Sequence, residues 1–135
     1  MTPSQVSEAG TITKVSPRPV EETVTRLVEL LGARGIKVFA VIDQRAEARA
    51  VGLDLRETTL VVFGNPVAGT PLMQAVPLAA LDLPLKVLVW ADGDRGTQVS
   101  YADPSAVAAR YGLAPEQAAV LQGVHMLTDA LVAPS

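Results

Sequence analysis

Residues 85–101 read LKVLVWADGDRGTQVSY, two β-prone runs joined by a loop built on Asp92-Gly93. The first run, Leu85–Trp90, and the second, Thr97–Tyr101, are rich in branched and aromatic side chains. A loop this short can only turn the chain back on itself, so the two runs form an antiparallel hairpin. Parallel neighbours would need a crossover of about a dozen residues or more. A purely parallel sheet is therefore excluded, and every other element has to be arranged around this pair.

The remaining punctuation predicts alternating strands and helices. Residues 1–9 are polar and read as a loose end, and Thr11–Val15 alternates weakly as a first strand. Pro19 suits the first turn of a helix. Val20, Val24, Leu27, Leu30 and Leu31 follow at helical spacing, with Glu21 and Glu22 favourably placed near the positive end of the dipole. Ile36–Ile42 and Thr58–Phe63 read as strands, and Gln44–Val51 as one or two helical turns. Asp103-Pro104 is a cap and first-position proline for a helix ending near Gly112, and Pro115 opens a last helix running to about Leu131. The expected fold is α+β: a two-layer sandwich with a mixed or mostly antiparallel five-stranded sheet and helices packed on one face. One domain is expected over 1–135, with its folded core over 11–133.

Composition narrows the functional classes. The chain has 135 residues, 49% of them hydrophobic and 19% charged, which suits one globular core. Its net charge is −3, and its 11 Lys and Arg are scattered. Nucleic-acid binding needs a basic stripe and is not expected. Cysteine is absent, so thiolate chemistry, zinc-thiolate sites and iron–sulfur clusters are excluded. The start, MTPSQVSEAG, lacks the pattern of a signal peptide, and no apolar run reaches spanning length. The expectation is a cytoplasmic protein without membrane contact.

The stretch FGNPVAGTPLM (63–73) spaces Gly64 and Gly69 as in a phosphate-binding loop. The lysine such a loop requires is absent after Gly69, and Pro66 and Pro71 each remove a backbone donor. The simpler reading is a strand ending at Gly64-Asn65-Pro66, followed by a short helix with Thr70 as its cap and Pro71 in its first turn. No cofactor is expected.

The run from Thr13 to Leu113 resembles the domain-of-unknown-function 302 family. The resemblance is carried by TKVS (13–16), VEETVTRL (20–27), FAVID (39–43), GLDLRETTLVVFGNPVAGTPLMQ (52–74), LDLPLKVLVW (81–90) and SYADP (100–104). It implies a small α/β domain and a homodimer, and it carries no settled activity. This chain departs from the family pattern at Gln44 and at Arg110-Tyr111, where many members have His, and in Tyr101-Ala-Asp-Pro, where Asn is usual. A mechanism built on those histidines is not transferred to it.

The chemistry-bearing residues fall into small sets. Asp43 ends one predicted strand and Asp82 precedes another. Two carboxylates at one sheet edge could share a proton or hold a hard cation. Their structural alternatives are a cap for the helix after Asp43 and an ion pair of Asp82 with Lys86. Lys86 alternates with Leu88 and Trp90, which puts all three on one sheet face. Asn65, Thr70, Lys86 and Tyr101 would then line one cleft for a small anionic ligand, with Trp90 as its wall. Otherwise Trp90 is core and Lys86 reaches past it to water. The single histidine, His125, adjoins Met126, but neighbouring helical residues point about 100° apart and cannot clamp one haem iron. The favoured reading is a non-catalytic small-ligand or interaction module acting as a homodimer. The alternative is an enzyme on a small acidic or carbonyl compound, with Lys86 holding charge and Asp43 or Asp82 as general base.

Overall fold

The hairpin forms at the middle of one sheet. The computed structural model describes residues 5–7 and 9–134. Its strands are β1 (Gln5–Val6), β2 (Thr11–Ser16), β3 (Lys37–Asp43), β4 (Thr58–Gly64), β5 (Leu85–Ala91) and β6 (Thr97–Ala102). They lie in the order β1-β2-β6-β5-β4-β3, and every neighbouring pair is antiparallel. No parallel pairing occurs among the described residues, so the mixed alternative does not arise. Five strands make up the body of the sheet, and the two-residue β1 adds an edge by pairing Gln5 with Thr13 and Val6 with Ile12. The stretch expected to be loose thus contributes a strand, while residues 1–4 and 8 of it lie outside the described residues.

The helices are α1 (Val20–Ala33), α2 (Gln44–Ala50), α3 (Pro66–Ala75), α4 (Pro104–Tyr111), α5 (Pro115–Ala118) and α6 (Gly123–Val132). Helices α1 and α6 supply the buried layer over one sheet face. The stripe of α1 buries Val20, Leu27 and Leu31. It meets Val61, Phe63, Val87, Val89 and Val99 from the strands and Val124, Leu127 and Leu131 from α6. Each fully buried aliphatic side chain of this kind contributes about 1.5–3 kcal/mol. A second, smaller cluster of Leu72, Ala79, Val107 and Leu121 takes in Leu83 and Leu85 beside the start of β5.

Three elements differ from their sequence-based outlines. Helix α3 starts at Pro66, because the Asn65 side chain accepts from the Val67 amide at 3.0 Å and caps it. Thr70 is therefore inside the helix and caps nothing, and Pro71 is tolerated within it. The last helix is interrupted: a tighter turn at Ala119–Leu121 separates α5 from α6, whose first residue is the poor helix former Gly123. Strand β3 carries a bulge at Phe39. Val38 pairs with Phe63, but Val41 pairs with Val61, so Val41 and Asp43 turn toward the α1 side.

One charge is buried between the layers. Lys14 alternates with Ile12 and Ser16 on the helix-covered face of β2. Its ammonium donates to Thr128 Oγ1 at 2.6 Å and to the His125 carbonyl at 3.1 Å, and pairs with Asp129 at 2.7 Å. It also lies 5.3 Å from the centre of the Tyr101 ring. A buried ammonium is costly unless paired, so these contacts fix α6 against β2. Arg18 and Arg26 extend the attachment by donating to the carbonyls of Leu131, Ala133 and Ala130 at the end of α6.

The two partners of this ion pair are unequally exposed, at 6% for the Lys14 side chain and 68% for Asp129. Removing the carboxylate strands a buried cation, whereas removing the cation frees an anion that is already wet. Asp129→Ala should therefore destabilise the fold by about 3 kcal/mol and Lys14→Met by less than about 1 kcal/mol. Urea unfolding of both variants checks this, and equal losses would show that the ammonium is not buried in solution.

Candidate functional site

Strands β5 and β6 pair from Ala91↔Thr97 to Leu88↔Ser100 and then part. Beyond that point β5 continues against β4 through Val62↔Lys86 and Phe63↔Leu85. Strand β6 continues against β2 through Ile12↔Tyr101 and Thr11↔Ala102. The fork between them holds a cavity of about 210 Å³ lined by Lys86, Leu88, Ser100, Tyr101, Asp82 and Leu121, among others. Chain direction changes at both of its ends. Asp103 caps α4 through the Ser105 amide at 3.0 Å, just after β6, and a tight turn over Pro77–Asp82 precedes β5.

The polar groups of the fork are held in place from outside it. The Tyr101 hydroxyl and His125 Nδ1 share a 2.8 Å hydrogen bond, with the rings edge to face at 5.6 Å. Ser100 Oγ accepts from the Trp90 indole at 3.0 Å and shares a 2.8 Å bond with the Thr13 hydroxyl. Asp82 Oδ2 accepts from Arg110 Nη1 at 3.0 Å and from the Tyr111 hydroxyl. Lys86 is exposed at the cavity, and no bond to Asp82 is formed. Tyr111 ionises at higher pH than an ordinary tyrosine, chiefly because the hydrogen bond it donates to Asp82 favours the protonated hydroxyl. The Arg110 pKa is raised as well, first by its contact with Tyr111 and then by Asp82.

The fork unites three of the sequence-predicted residues, Asp82, Lys86 and Tyr101. Trp90 does not line it. It is half-buried on the uncovered sheet face and reaches the fork only through Ser100, so it is neither a cleft wall nor full core. Asn65 and Thr70 line a neighbouring cavity of about 300 Å³, with Phe39, Met73 and Pro84. Leu85 and Leu121 line both cavities. Asp43 is separate from these: it caps α2 by accepting from the Ala46 amide at 2.9 Å, and it faces Arg45 and Arg49 in another hollow. Of the two readings of Asp43, the cap for the following helix is the one formed, and it lies apart from Asp82, which pairs with Arg110 in place of Lys86.

Sequence reasoning missed Ser100 and Lys14, and weighed His125 only against haem ligation, not as the partner of Tyr101. For Lys14 a signal was present, since it occupies an inward position of an alternating strand. Among the described residues, no group of three or more His, Asp or Glu side chains is placed to hold a metal ion.

An antiparallel α+β sandwich with a forked sheet and an apolar cavity at the fork is the class of protein these features define. The sequence matches Domain of unknown function DUF302 over residues 12–131, and the chain belongs to that family. It is 36% identical over 110 residues to proteins named Fluoride-specific ion channel FluC 1 in Brucella suis biovar 1 and Brucella abortus biovar 1, matching 82% of this chain. The match covers 43% and 41% of those proteins, so the chain spans less than half the length of the curated relatives it matches. The fold is similar to the crystal structure of an uncharacterized conserved DUF302 protein from Bacillus stearothermophilus, with a TM-score of 0.76 and 18% identity. That likeness covers 91% of this chain and 95% of the other. Among the described residues, no helix is long and apolar enough to cross a membrane.

Because the folded-state pKa of Tyr111 is raised, its contribution to stability is complete below the unfolded value of about 10. It is lost as pH climbs through the folded value. An NMR titration of the Tyr111 ring should give a midpoint above about 10, and Asp82→Ala should lower it. A midpoint unchanged by that substitution would show that Asp82 does not receive the phenol hydrogen bond.

Proposed function

We propose that this chain is a non-catalytic small-ligand-binding module that works as a homodimer, with the β5/β6 fork as its binding site. The parting of the two strands after Leu88↔Ser100 carries this reading, because it opens a cavity inside an otherwise continuous sheet. Apolar walls with a few convergent polar groups are the usual character of a small-molecule site. Lys86 supplies the charge that selects an anionic ligand. Asp82, the nearest candidate base, is occupied by Arg110 and Tyr111, which favours binding over proton abstraction.

The names of the relatives raise fluoride as a ligand. A small, strongly hydrated halide would need a shell of donors to replace its water, and apolar walls provide none. An organic anion with apolar substance fits the fork better. Pore formation is not proposed for this chain, because the longer relatives carry much that it does not match.

The homodimer reading is supported by the sheet face opposite α1 and α6. Ala40, Ile42, Leu60, Val62, Leu88 and Trp90 are half-buried there, and Val15 is 38% exposed. Two such faces packed together would cover a continuous apolar surface and would place Lys86, which shares this face, at the seam between the two copies. Native mass spectrometry of the untagged protein tests both parts. A dimer carrying a small acidic molecule that Lys86→Met releases is the expected result. A strictly monomeric species in the high micromolar range would overturn the dimer, and an adduct retained by Lys86→Met would overturn Lys86 as its anchor.

A further inference from the structure

We infer that the fork and the cavity beside it form one amphipathic site for an alkyl monocarboxylate, with the carboxylate at Lys86 and the tail passing Leu85 and Leu121 toward Phe39 and Met73. This rests on the reading of the fork as a small-ligand site and deepens it by naming the ligand's chemical class.

Volume and polarity carry the inference. Small-molecule pockets measure about 300–1,000 Å³. The fork alone, at about 210 Å³, falls below that range, and the fork with its 300 Å³ neighbour falls inside it. The two are separated by shared walls, Leu85 and Leu121, whose side chains are unbranched at Cβ and can change rotamer. Charge is found at one end only. Lys86 lies in the fork together with Asp82, whose carboxylate is already engaged by Arg110 and Tyr111. The neighbouring cavity is walled by Phe39, Met73, Leu83 and Pro84. Its Asn65 oxygen is already engaged by the Val67 amide. A polar end joined to a larger apolar end matches a ligand of the same asymmetry. A short, wholly polar anion would leave the second cavity empty, and an uncharged hydrocarbon would leave Lys86 without a partner.

The chain reports on its own site. Trp90 is its only tryptophan and donates to Ser100, which lines the fork. A ligand there perturbs the indole emission. Gly69 lines the second cavity from within α3, and a Cβ added there would meet nothing closer than the Met73 methyl at 4.0 Å. A leucine at this helical position suits the helix better than glycine and takes up cavity space.

The test is a Trp90 fluorescence titration of the full chain with butanoate, hexanoate and octanoate at neutral pH, checked by calorimetry. Affinity is expected to rise roughly fourfold per added methylene, the worth of one buried CH₂. Gly69→Leu should remove the advantage of octanoate and leave butanoate binding unchanged. Lys86→Met should weaken all three acids. Saturable binding that depends on Lys86 but is flat with chain length would overturn the two-cavity site and leave the fork standing. So would a length dependence that Gly69→Leu does not touch. Octanoate binding untouched by Lys86→Met would place the tail on the uncovered sheet face and overturn the inference. Failure of every acid to bind would overturn both this inference and the fork as an anion site.

Discussion

The structure turns on the point where one hairpin stops pairing. Strands β5 and β6 leave their loop paired to each other, and after Leu88↔Ser100 each is held by its other neighbour. A sheet cannot stay closed where its two central strands diverge, because the backbone groups that would bridge them need other surroundings. The chain responds locally. After β6 it caps α4 with Asp103, and before β5 it runs through the turn at Pro77–Asp82. The small cluster of Leu72, Ala79, Val107 and Leu121 packs at this end, and its Val107 and Leu121 line the cavity.

A fork that binds anything must be held at a defined width. Two networks do this from opposite sides. On the α6 side, Lys14 ties β2 to Thr128 and Asp129, and Tyr101 is fixed by His125. On the α4 side, Arg110 and Tyr111 converge on Asp82. Each network joins a helix to the strands that flank the fork, and such cross-links pre-organise the geometry between them. Lys86 stands apart. It is the cation lining the fork without a carboxylate partner among the described contacts, and it faces solvent there. An exposed ammonium of this kind is free to meet an incoming anion without breaking an existing pair.

Much of the fold was legible because periodicity reports burial directly. The α1 stripe, the alternation that put Lys86, Leu88 and Trp90 on one face, and the Asp92-Gly93 hairpin are local properties of a few residues. The site was legible only in pieces. Asp82, Lys86 and Tyr101 were selected one by one, but their meeting depends on where strand pairing stops, which no single run of residues encodes. The bulge at Phe39 shows the same limit. Strict alternation through FAVID would keep Phe39, Val41 and Asp43 on one face, whereas the bulge moves Val41 and Asp43 to the α1 side; Asp43, level with Thr59 on the edge strand, lies away from the fork by its register as well. Lys14 was hidden for a different reason. A lysine in a strand reads as solvated, and only the tertiary contact with Asp129 and Thr128 makes its burial tolerable.

The role of Tyr111 can be understood from these contacts. Its hydroxyl donates to Asp82, so the residue serves the carboxylate as a neutral donor whose proton is held more tightly than in free tyrosine. A phenol of raised pKa does not exchange that proton readily near neutral pH, unlike an imidazole. The Asp82 corner of the fork is thereby a structural clamp. It orients α4 against the turn before β5. Fold likeness to another member of the family speaks to the sheet and its helices alone. Around the fork, Asp82, Ser100 and Tyr101 already have hydrogen-bond partners, whereas Lys86 has no carboxylate partner among the described residues.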